Sequence, residues 1–88
     1  MNTGNRASST MNVYKAECAE IMRRFLAKQI SRDDCVAALH AGFIGVMPEV
    51  TANDVSEVRT IVLFNERVII DEMERRGQPP AGSSSVVQ

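Results

Sequence analysis

The stretch from Val55 to Met73 carries more apolar surface than one face of one helix can hide. At about 100° per residue, Val55, Val58, Ile61, Val62, Val68, Ile69 and Met73 fall on one wide stripe. That stripe is expected to be core. Leu63 and Ile70 fall on a second strip outside it, two turns apart, and Phe64 leaves the stripe on the other side. A chain of 88 residues has few elements with which to cover all of these surfaces. The excess predicts an interface, with a second copy or with another protein, at Ile61, Leu63, Phe64, Asn65, Val68 and Ile70.

Asn65 belongs in that set for a different reason. It lies in the middle of the main stripe, between Val62 and Ile69. A buried amide without a partner costs roughly 1–3 kcal/mol. It is expected to bond a nearby backbone carbonyl, to meet its own copy or a partner's polar group and so fix helix register, or to be locally exposed.

Helical punctuation frames the rest of the chain. Tyr14, Cys18, Ile21, Met22, Phe25 and Leu26 recur at helical spacing, with Glu17, Glu20, Arg23, Arg24 and Lys28 opposite, which predicts a first helix over Asn12–Gln29. Ser31 followed by Arg32-Asp33-Asp34 resembles an N-cap with carboxylates in the first turn. A second helix is expected over Arg32–Ile44, burying Cys35, Val36, Leu39, Phe43, Val46 and Met47, with Gly45 as its stop. Ala37, Ala38 and Ala41 keep one side of it thin. Pro48 opposes helix at Met47. Thr51 or Asn53 can cap a third helix over Ala52–Arg76, about 37 Å long at 1.5 Å per residue. Gly77 suits the position just past its end. The β-branched runs Thr60–Phe64 and Arg67–Ile70 also fit a hairpin, but the Asn65-Glu66 loop lacks glycine and both flanks are helix-like.

The expected fold is all-α: a three-helix bundle of two shorter helices with a tight corner, then one long C-terminal helix through which it dimerises. Residues 1–11 and 78–88 are small, polar or Pro/Ser-rich and are expected to be disordered tails around a domain at 12–77. That leaves about 65 residues, near the lower limit for an independent core, where association is a common remedy.

Composition narrows the function classes. Net charge is −1, from ten Lys plus Arg and eleven Asp plus Glu, without the basic excess usual in nucleic-acid binders. No stretch approaches the roughly 20 apolar residues of a membrane span, and the start has no signal-peptide core. Cys18 and Cys35 lie on apolar faces, as free cysteines of reducing compartments do, so a cytoplasmic setting is expected.

No constellation carries chemistry. His40 is the single histidine, and Cys35, five residues away, is off its helical face. Cys18, Cys35 and His40 are too few for a structural zinc site. Residues Ala19–Ile30 lack the alternating oxygen ligands and central glycine of a calcium loop, although the caps that follow share the rhythm of calmodulin-like proteins. Val36–Phe43 echoes the first helix and turn of a helix-turn-helix, but Pro48 falls where the recognition helix should be under way. The sequence therefore predicts a non-enzymatic protein–protein interaction module, an adaptor, inhibitor or regulatory subunit, with no cofactor and no metal. Its partner is itself or another protein. The alternative is a small dimeric DNA-binding regulator.

Overall fold

The computed structural model describes residues 5–77, with side chains from Ser9 onward. Three α-helices account for most of it: α1 over Asn5–Leu26, α2 over Arg32–Val46 and α3 over Val55–Arg75. Short 3-10 turns at Met47–Glu49 and Ala52–Asp54 make the second corner. Among the described residues there is no strand, so the hairpin alternative at 60–70 is replaced by continuous helix.

The helix ends differ from expectation, each for a local reason. α1 starts at Asn5, well before the expected Asn12, and Met11 is buried against Tyr14, Cys18, Val46 and Val58. A single apolar residue among polar neighbours gave no periodicity to detect, yet it completes one corner of the core. Residues 1–4 and 78–88, the remainder of the expected tails, lie outside the described residues.

α1 stops at Leu26 rather than Gln29. Gln29 N–H donates to Arg24 O at 2.8 Å and Lys28 N–H to Phe25 O at 2.9 Å, the paired bonds of a Schellman motif. Lys28 occupies its left-handed position, at φ 65°. Glycine normally marks that position, so the stop was not visible in the sequence. Ser31 then caps α2, its Oγ accepting from Asp34 N–H at 3.0 Å, as expected. Gly45 does not end α2. The helix runs through Val46, because Val46 and Met47 still have core to fill beside Tyr14. α3 begins with a 3-10 turn, with the Thr51 hydroxyl donating to Asp54 Oδ2 at 3.1 Å, before α geometry sets in at Val55. Gly77 follows it with φ 79°, the left-handed conformation that favours glycine.

The core forms two clusters strung along α1. Met11, Tyr14 and Cys18 meet Val46 and Val58 at one end, and Met22 and Phe25 meet Cys35, Ile69 and Met73 at the other. Leu39 touches both. These pairings set the topology. α2 runs antiparallel to α1, since Cys35 lies by Phe25 and Val46 by Met11, whereas α3 runs parallel to α1. Lys15 pairs with Glu57 at 2.6 Å near the start of α3. At its other end Arg76 donates to Phe25 O at 2.9 Å and stacks 4.7 Å above the Phe25 ring, while its Nε reaches the buried Glu72 at 2.7 Å. Arg75 pairs with the second Glu72 oxygen.

α2 packs on α1 through Cys35, Leu39 and Val46, whereas Ala37 and Ala41 of the expected thin side are exposed. Gly42 faces Glu17, whose Oε1 would lie 3.8 Å from an added Cβ. α3 also packs on α1, but α2 and α3 scarcely meet. Their separation leaves a trough between them.

Candidate interaction surface

The trough holds a groove of about 260 Å³. Val36, Leu39, His40 and Phe43 of α2 make one wall, Val62, Glu66 and Ile69 of α3 the other, and Tyr14 and Asn65 lie in its lining as well. Most of that lining is apolar because each wall is the edge of a helix stripe whose centre faces α1. His40 is exposed at this rim. Val36, expected in the core, is 45% exposed for the same reason.

Below the groove lies a small polar cluster. Tyr14 and Asn65 both hydrogen-bond the thiol of Cys18. Burial, and then the neighbouring thiol, push the Tyr14 phenol up to about 12. Burial raises the Cys18 thiol against these two hydrogen bonds, and burial alone raises Cys35. Both cysteines are free, and Cys35 donates to the Met22 sulfur at 3.8 Å. Asn65 therefore has a partner in its own chain, with 7% of its surface exposed.

The other expected interface residues separate into two groups. Ile61 packs on the Met11–Tyr14 cluster and Val68 on the Met22–Phe25 cluster, both half-buried. With Asn65 they look toward their own core, because α1 reaches further across the stripe than the sequence suggested. Leu63 and Phe64 are left 55% and 66% exposed, and Ile70 is half-buried. Val55, expected in the core, is 47% exposed at the start of α3. Leu63 and Ile70 lie on the groove side of α3, and Phe64 lies on the far side.

Charge around this surface is mostly internally balanced. Glu20 is held by Arg23 and Arg24, at 2.6 and 2.9 Å, and their hydrogen bonds pull its carboxyl down to about 2. Arg67 pairs with Asp71 at 3.3 Å and Arg32 with Asp33 at 2.9 Å. Among the described residues no group of three or more His, Cys, Asp and Glu side chains is placed to hold a metal ion. Among them, too, no helix is long and apolar enough to cross a membrane. The groove walls on α2 were missed because they depend on how far α2 stands from α3, which no local pattern encodes. No protein family, curated protein or solved structure matches the chain.

Proposed function

We propose that this chain is a small non-enzymatic protein–protein interaction module, an adaptor, inhibitor or regulatory subunit, acting through the apolar surface of α3. The observation that carries this reading is the exposure of Leu63, with Ile70 half-buried next to it, on the side of α3 that borders an apolar groove, while Phe64 is exposed on the far side. Covering each such side chain contributes roughly 1.5–3 kcal/mol. A partner that covers Leu63 and Ile70 together with the groove gains apolar contact along that side of α3. The occupant is a second copy of this chain or another protein. The free, buried cysteines fit work in the reducing cytoplasm.

The arrangement of cations favours this reading over DNA binding. Arg23, Arg24, Lys28 and Arg32 would have to merge into one basic stripe, yet Arg23, Arg24 and Arg32 each face a carboxylate of their own chain. The experiment is photo-crosslinking in host cells from a reactive side chain placed at Leu63, read by mass spectrometry. The expected result is a discrete crosslinked protein, lost when Leu63 and Ile70 are replaced by Glu with helix content by circular dichroism unchanged. A surface that crosslinks nothing overturns the reading.

A further inference from the structure

We propose that the occupant of the groove-side face of α3 is the same face of a second copy, packed antiparallel about a two-fold axis between Val62 and Leu63. This deepens the interaction reading above and rests on it. Two charges on this face of α3 lack partners among the described residues. Glu57, Arg67, Asp71, Glu72 and Arg75 of α3, and Arg76 just past its end, are all paired within the chain. Arg59 and Glu66, like Glu74 further along, have no side-chain partner among the described residues.

Arg59 and Glu66 are exposed and share one face, within about 20° of each other at 100° per residue. They stand two turns apart, about 10 Å at 1.5 Å per residue, too far to pair with each other. A second α3 resolves this. In an antiparallel pair centred between Val62 and Leu63, Arg59 meets the partner's Glu66, and Glu66 meets the partner's Arg59. The same register sets Leu63 beside the partner's Leu63 on one flank of the seam and Val62 beside the partner's Val62 on the other, with Val55 level with the partner's Ile70. Those are the partly or largely exposed apolar residues of this face.

A parallel pair does the reverse. It sets Arg59 against the partner's Arg59 and Glu66 against the partner's Glu66, which is repulsive. The charge pattern therefore selects the orientation as well as the partner. Antiparallel pairing also makes the contact isologous and closed, so it ends at a dimer. Each α3 then covers the lip of the other's groove, where Glu66 and Val62 stand.

The test is sedimentation equilibrium of the full chain into the high micromolar range. The wild type is expected to be a dimer. Arg59→Glu opposes two carboxylates at both ends of the axis and should weaken it about tenfold. Glu66→Arg should do the same, and the double variant Arg59→Glu/Glu66→Arg should return close to wild type. Both side chains are exposed, so circular dichroism of all three variants should stay that of the wild type. A second measurement reads the register directly. Zero-length carbodiimide coupling of Arg59→Lys, in a mixture of isotopically light and heavy chains, should give a mixed-label peptide joining positions 59 and 66. A monomeric wild type overturns the second-copy proposal and leaves the Leu63 photo-crosslink to decide whether a different protein binds there. A dimer that the double variant fails to restore, or that Phe64→Glu disrupts and Leu63→Glu does not, overturns this register and face.

Discussion

Lys28 shows how much a single residue can decide. It terminates α1 in the left-handed conformation, where a Cβ costs roughly 1–2 kcal/mol. The cost is sustained because Arg24 O and Phe25 O are both satisfied there and because the chain must reach Ser31 within one short turn. Lys28→Gly should relieve that strain. Part of the gain is lost to the greater freedom of glycine in the unfolded chain. A net stabilisation of about 0.5–1 kcal/mol is expected, visible as a rise of a few degrees in a thermal melt. A lower melting temperature would mean that the lysine side chain itself holds the corner.

At the scale of the element, α2 was expected to stop at Gly45 and instead continues through it. Its backbone there is helical, and an added Cβ would meet nothing within 4 Å. Gly45→Ala should therefore stabilise the protein by about 0.5–1 kcal/mol, as a glycine inside a helix does when replaced. A C-capping glycine at positive φ would respond in the opposite direction, so the melting temperature separates the two descriptions. Gly77 is that second kind, with φ 79° just beyond α3. α3 itself is fastened at both ends to α1, by Lys15–Glu57 and by Arg76 on Phe25. Between those points its groove side projects past α1, which leaves Leu63 largely exposed.

The whole molecule is two core clusters joined along α1, with titratable groups inside both. Tyr14 keeps its proton to about 12 when folded, against 10.0 ordinarily, first because it is buried and then because Cys18 lies beside it. An unfolded chain releases that proton sooner. The contribution to stability is therefore complete below pH 10.0 and is lost as pH rises toward about 12. The raised thiols of Cys18 and Cys35 act in the same direction, starting from their ordinary 9.0. Denaturant midpoints should fall as pH is raised above 9, and Tyr14→Phe should flatten the part of the fall above 10. A midpoint that holds constant to pH 12 would show that the phenol is not held against ionisation by the fold.

The helices were legible in the sequence because helical periodicity and capping are local. Tyr14, Cys18, Met22 and Phe25 recur every three or four residues, and Ser31 announces α2 with its own hydroxyl. The excess of apolar surface on α3 was legible too, since Leu63 and Phe64 cannot share a face with Val58 and Ile69. Only the tertiary structure decided which of these residues reach solvent. Ile61, Val68 and Asn65 carry the same local signal as their neighbours, yet they turn toward α1, whose reach across α3 depends on contacts between residues far apart in sequence. The groove has the same origin. Its walls come from helices that both rest on α1 but scarcely touch each other, and that spacing is a property of three packed bodies rather than of any segment.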